Sequence, residues 1–246
     1  MELGIHGKVA LVTGASSGIG RAVALSLARE GVKLAVAARR KALLEQIEGA
    51  HPYAADLNDE ASIDRLVAAV TADLGGVDIL VVNGGGPKPA AFTQLTPEDW
   101  DTAYQLVLRG KLRLVQASLP GMRARKWGRI VALESVSVKQ PLPNMTLSNA
   151  LRVAMTSALK TLASEVAPEG ITVNTIATGL VATARIDQLY DTPEKKSAAA
   201  ATVPAKRLAT PEEFAPLVTF LCGAPASYVT GQTIAIDGGR TAGVFG

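Results

Sequence analysis

Val9-Ala-Leu-Val-Thr-Gly-Ala-Ser-Ser-Gly-Ile-Gly20 is the stretch on which the fold turns. Val9 to Thr13 is an apolar run too short for a helix. Three glycines follow it, and a helical pattern then runs from Arg21 to Glu30, where Gly31 stops it. Strand, glycine turn and helix in that order make a place for a pyrophosphate. The glycines permit a tight bend and close approach of the backbone, and the first N–H groups of the helix point outward with the positive end of its dipole. Gly14, Ser16, Ser17, Gly18, Ile19 and Gly20 are therefore the candidate contacts. A tight turn with no ligand is the competing reading. The motif gains its weight from its place at the head of a βαβ series.

That series continues in both halves of the chain. Lys33 to Ala37 is a second short apolar run, Lys41 to Glu48 a helix, Tyr53 to Ala55 a strand, Glu60 to Leu74 a helix, and Ile79 to Val82 a run of the kind buried on both faces. Thr96-Pro-Glu-Asp99 gives an N-cap, a proline at the first helical position and an acidic first turn, for a helix running to about Met122. Arg129 to Leu133, Ile171 to Asn174 and Thr233 to Ile236 complete seven strands, with a long helix at Ser148 to Ala167 and another helix start at Thr210-Pro211. Short apolar runs alternating with helices predict a parallel sheet covered on both faces, a single doubly wound α/β Rossmann domain over residues 1–246. The least regular segment, 178–211, follows the end of the sixth strand, where ligands bind in such sheets. It is expected to act as a substrate lid, a long surface connection being the alternative.

Composition narrows the function classes. The chain has 246 residues, 48% apolar and 19% charged, with a net charge of +3. That supports a sizeable core and excludes a disordered chain. Aromatics at 4% and the absence of a long Lys/Arg run argue against nucleic acid as a partner. One cysteine, Cys222, and two histidines leave no framework for disulfides and no expected metal site. Cys222 beside Phe220 and Leu221 reads as core. No apolar run is long enough to span a bilayer, and the start of the chain lacks a secretory pattern, so a cytoplasmic setting without membrane attachment is expected.

The spacing Thr13-Gly-x-x-x-Gly18-Ile-Gly20 resembles the short-chain dehydrogenase/reductase family, and the resemblance covers nearly the whole chain. Its further marks are Asp56-Leu57, Asn83-Gly-Gly-Gly86, Gly128-Arg-Ile-Val131, Val173-Asn174, Thr230-Gly-Gln232 and Asp237-Gly-Gly239. The resemblance implies that Asp56 and Leu57 flank the adenine, that Asn83 and Gly84 flank the cofactor, and that Gly179 and Thr183 pass the nicotinamide and its carboxamide. The family usually reads Asn-Asn-Ala-Gly at 83–86 and Pro-Gly at 178–179, so Gly84-Gly85 and Thr178 depart from it. The second strand ends in Arg39-Arg40 with no carboxylate to accept ribose hydroxyls. A guanidinium forks onto a 2′-phosphate, so NADP(H) is favoured over NAD(H), with Arg39 as its candidate contact.

In the family a tyrosine protonates the substrate oxygen, a lysine four residues on holds the nicotinamide ribose, a serine orients the carbonyl and an asparagine supports a proton relay. Here Ser135 matches the serine, but Ser148 stands at the tyrosine position, Arg152 at the lysine position and Val107 at the asparagine position. Ser148 and Arg152 remain on one helix face as an i, i+4 pair. Arg152 keeps a charge and can bond a ribose but cannot release a proton. A serine hydroxyl is a poor general acid, a loss of typically about 10²–10⁴-fold. Ser135, Ser148 and Arg152 are the catalytic candidates. Tyr190 in the lid segment is a further acid candidate, Pro141 to Pro143 a pocket wall, and Glu134 is expected to point away, because successive strand side chains face opposite ways. The most similar family members look like 3-oxoacyl-acyl-carrier-protein reductases. The resemblance thus implies an NADP(H)-dependent oxidoreductase for a carbonyl or alcohol, a small-molecule substrate and a homotetramer. The alternative is a non-catalytic dinucleotide-binding protein, a sensor or partner subunit.

Overall fold

Residues buried on both faces set the sheet. In the computed structural model, which describes residues 1–244, the strands are β1 (Val9–Thr13), β2 (Lys33–Ala38), β3 (Ala50–Ala54), β4 (Ile79–Val82), β5 (Gly128–Ser135), β6 (Ile171–Thr178) and β7 (Thr233–Ile236). Every residue of β1 and β4 is buried. Among the described residues these seven strands form one sheet, all pairs parallel, in the order β3-β2-β1-β4-β5-β6-β7. The order reverses at β1 and β4, which opens a crevice at their carboxyl ends. This is the doubly wound Rossmann-type fold expected from the alternating pattern.

The helices are α1 (Gly18–Arg29), α2 (Lys41–Leu44), α3 (Glu60–Leu74), α4 (Pro97–Tyr104), α5 (Gly110–Arg125), α6 (Thr146–Val166), α7 (Ala184–Leu189), α8 (Pro193–Ala201) and α9 (Ala215–Leu221). α3 buries Ile63, Leu66 and Val70 on one stripe, and the Asp59 carboxylate accepts from the Ala61 N–H at its start. Thr96 and Asp99 cap α4 reciprocally. One face of the sheet packs its core against α1 and α9 through Val23, Leu27, Phe214 and Val218. The other packs against α3, α5 and α6 through Leu66, Leu114, Met155 and Leu159.

Three expectations are corrected. The helix expected from Lys41 to Glu48 is one turn, because the Ile47 N–H tightens onto the Leu44 carbonyl (3.0 Å) and β3 starts at Ala50, earlier than Tyr53. The helix expected from Thr96 to Met122 is interrupted by a π turn at Gln105–Arg109, with Val107 buried inside it. Segment 178–211 is not irregular. It carries α7 and α8 and closes on a small core of its own, with Leu180, Ile186, Ala199 and Val203.

Gly110, directly after the π turn, is the close approach that lets α5 lie against the β3–α3 connection. A Cβ there would stand 1.8 Å from the Leu57 carbonyl oxygen. Gly110→Ala is expected to cost about 1–3 kcal/mol of stability, as overpacking does. Thermal unfolding followed by circular dichroism would then show a midpoint lower by roughly 2–4 °C per kcal/mol. An unchanged midpoint would mean that the Leu57 loop yields freely.

Candidate functional site

The crevice at the carboxyl ends of the strands opens into a cavity of about 1210 Å³. Sites for one drug-sized ligand run roughly 300–1,000 Å³, so there is room for a dinucleotide and more. The glycine turn forms its floor. Thr13 Oγ1 accepts from the Asn83 N–H (2.9 Å) and donates to the Asn83 carbonyl (2.7 Å), while Asn83 Nδ2 donates to the Gly14 carbonyl (3.3 Å). These bonds clamp the end of β4 to the turn. Gly20 lies beneath it. A Cβ on Gly20 would come within 2.4 Å of the Gly14 carbonyl and 2.6 Å of Asn83 Nδ2. Ser17, at the start of α1, makes no side-chain cap, whereas α3, α4 and α8 are each capped by a side chain. The cradle thus has the space, the free N–H groups and the dipole that a pyrophosphate requires.

Gly14, Ser16, Ser17, Gly18 and Ile19 line this cavity, as do Arg39, Asp56, Leu57, Asn83, Gly84, Gly179 and Thr183. Of the candidate cofactor contacts Gly20 alone supports the wall from behind. Asp56 is held in a turn, its carboxylate accepting from the Asn58 N–H and its own N–H donating to Ser62 Oγ. Arg39 and Arg40 are exposed at the same end, and neither guanidinium makes an ion pair among the described residues. The Gly179 N–H donates to the Ile236 carbonyl (2.9 Å), which fixes the turn after β6. Thr183 reaches across to the glycine turn, its Cγ2 3.1 Å from where a Gly18 Cβ would stand.

At the other end of the cavity lie Ser135, Ser148 and Arg152. They are brought to one wall, but not as a bonded trio. Ser135 Oγ accepts from the Ser137 N–H (3.2 Å). Ser148 is buried, its hydroxyl 3.3 Å from Ser137 Oγ and accepting from Arg152 Nε (3.1 Å). Arg152 also donates to a Glu134 carboxylate oxygen and to the Gly85 carbonyl (3.4 Å). The second Glu134 oxygen accepts from Lys111 Nζ at 2.7 Å. The Lys111 and Glu134 side chains are fully buried. Burial pulls the Lys111 ammonium below the ordinary lysine range, and the Glu134 charge opposes that pull. Two basic side chains thus share one carboxylate in this buried cluster.

The expectation for Glu134 is therefore wrong. Side chains do alternate along β5, but Ile130, Ala132 and Glu134 face α5 and α6, and α6 is the helix that carries Arg152. Lys111, Ser137 and the cavity-lining Arg185 and Arg240 were also missed. The signal for Lys111 was its position three residues before Leu114 and four after Val107, on an apolar helix face. For Glu134 it was a carboxylate in a strand otherwise buried on both sides. Tyr190, Leu142 and Pro143 line the cavity, and Pro141 does not. Cys222 lies in the core, where burial pushes its thiol up to about 12. Among the described residues no cluster of His, Cys, Asp or Glu could hold a metal ion, and no helix is long and apolar enough to cross a membrane.

A family model described as Enoyl-(Acyl carrier protein) reductase matches residues 14–241. The 3-oxoacyl-[acyl-carrier-protein] reductase FabG of Vibrio cholerae is 36% identical over 242 residues, covering 96% of this chain and 98% of that protein. Two solved structures are similar along their whole length. YwfH, an NADPH-dependent reductase involved in bacilysin biosynthesis, has a TM-score of 0.93 at 28% identity, covering 97% of this chain and all of that one. L-sorbose reductase from Gluconobacter frateurii, solved with NADPH and L-sorbose, has a TM-score of 0.91 at 33% identity, covering 99% of this chain and all of that one.

Proposed function

The chain belongs to the short-chain dehydrogenase/reductase family of oxidoreductases, and from that premise we propose that it is an NADP(H)-dependent oxidoreductase for a carbonyl or alcohol substrate, working with a non-standard active site. The observation that carries the reading is the Ser148–Arg152–Glu134 linkage in the wall of a cavity large enough for a dinucleotide and a substrate.

On this reading the turn from Gly14 to Gly20 holds the pyrophosphate, Asp56 and Leu57 the adenine, Asn83 and Gly84 the middle of the cofactor, and Gly179 and Thr183 the nicotinamide end. Arg152 serves the nicotinamide ribose as well as the substrate. The dinucleotide, when bound, supplies or accepts a hydride. The chain's own residues then have to manage the charge on the substrate oxygen. Arg152 is a fixed cation that donates hydrogen bonds and does not deprotonate. Glu134 orients it, and Ser148 is held by it as a neutral hydroxyl. Such a site stabilises an oxyanion by preorganised charge. Proton delivery falls to Ser135 with a water. Segment 178–211, whose α7 residues line the cavity, acts as the substrate lid within a single domain. Val153 on α6 is exposed, which supports extending the proposal to a homotetramer built through that helix.

The test is NADPH binding by fluorescence, followed by NADPH oxidation with a panel of ketones and 3-oxoacyl thioesters. Tight binding without turnover of any of them would leave a non-catalytic binding protein and overturn the reading. The coenzyme preference has its own check. Arg39→Ala is expected to weaken NADPH binding about tenfold, the scale of one charge-assisted contact, and to leave NADH binding nearly unchanged. Equal losses for both coenzymes would remove Arg39 from the 2′-phosphate.

A further inference from the structure

The substrate end of the cavity is richer in positive charge than reduction of a carbonyl requires. Arg152, Arg185 and Arg240 all reach its lining, and Glu134 is the only carboxylate there among the described residues. Glu134 is already shared between Lys111 and Arg152. The lid carboxylates do not help, because Asp187 pairs with Lys196 and Asp191 with Lys195, and neither lines the cavity. Asp237 is spent on the Gly239 and Thr241 N–H groups.

Arg185 has charge to spare and lies near Arg152. It stands on α7, half-buried, and its guanidinium lies against the backbone of Gly86, with atoms 3.0–3.2 Å from where a Cβ there would be. One nitrogen donates to the Pro87 carbonyl (2.7 Å). A guanidinium carries about five N–H donors, and Arg185 forms no ion pair among the described residues. Burial and the nearby Arg152 charge both disfavour its cationic form. A half-buried, uncompensated guanidinium beside a second one is costly, and an anion placed between them removes the cost.

We infer that the substrate carries a compact anionic group, a carboxylate or a phosphate monoester, bound by Arg185 of the lid with Arg152 behind it. The inference rests on the oxidoreductase reading for the word substrate, but not for the anion site. Because the guanidinium belongs to the lid and leans on the Gly84–Gly86 turn, the same anion would tie the lid to the sheet. Apolar residues such as Leu142 and Leu189 supply the remaining wall.

Calorimetry on the full chain, with and without NADPH, tests it with three unreactive probes of one shape: cyclohexanecarboxylate, cyclohexyl phosphate and cyclohexanecarboxamide. At least one anion is expected to bind tenfold or more tightly than the neutral amide, and Arg185→Met is expected to abolish that difference. Which anion wins identifies the group. Equal affinity for all three, binding of none, or an unchanged preference in Arg185→Met would overturn the inference. So would loss of NADPH affinity in that variant, which would assign Arg185 to the cofactor's phosphates. None of these readouts needs turnover, so failure of the oxidoreductase reading and failure of the anion site appear as different results.

Discussion

Glu134→Gln is expected to destabilise the chain by about 3–5 kcal/mol, the cost of breaking a buried ion pair from one side. The carboxylate is fully buried and takes both Lys111 and Arg152, so its loss leaves two basic side chains in the interior without their shared partner. At roughly 2–4 °C per kcal/mol for a chain of this size, the thermal midpoint should fall by about 6–20 °C. The loss should also depend on pH. Burial already draws Lys111 below its ordinary value of 10.5, and without Glu134 nothing opposes it. The folded state then binds fewer protons than the unfolded state between that depressed pKa and about 10.5, so stability rises with pH across the window. Thermal melts at neutral pH and near pH 9.5 should show the deficit shrinking. A deficit that is small, or that grows with pH, would mean that the cluster is hydrated or already neutral.

Arg152→Met is expected to lower kcat by about 10²–10³, the range for removing one preorganised donor from a developing oxyanion. The loss should be in kcat because the proposed site offers charge stabilisation where the rest of the family resemblance implies an acid. Arg152→Lys should recover part of it, since the charge returns but not the two-pronged fork that bridges Glu134 and Ser148. Stability should separate the two positions. Removing Arg152 leaves Lys111 and Glu134 paired one to one, so the midpoint should drop less than in Glu134→Gln. Steady-state NADPH oxidation on whichever substrate the panel identifies provides the measurement. A kcat within threefold of the parent would show that Arg152 serves the fold alone.

Both predictions concern residues that were only partly legible before the structure. Strand and helix identity came from local signals: apolar runs of three to five residues, the Thr96 cap and the glycine turn. These are written within a few neighbours of each other. Of the exceptions, the early stop of α2 is a local turn, the Ile47 N–H on the Leu44 carbonyl, whereas the π turn at Val107 adjoins a tertiary contact, Gly110 on Leu57. Ser148 and Arg152 could be paired by the helical period alone. Ser137 could not be predicted as the neighbour of Ser148, because that contact depends on how the chain turns after β5.

By itself, then, the amino-acid order determined the doubly wound sheet, the glycine turn and the switch point between β1 and β4, because each follows from short-range periodicity and backbone sterics. Only the tertiary structure decided that Lys111 on α5, Glu134 on β5 and Arg152 on α6 form one buried cluster, and that Arg185 of α7 lies near enough to feel the Arg152 charge. Those partners lie on separate elements, and which face of β5 turns toward α6 is set by packing across the whole sheet rather than by any pattern within a single element.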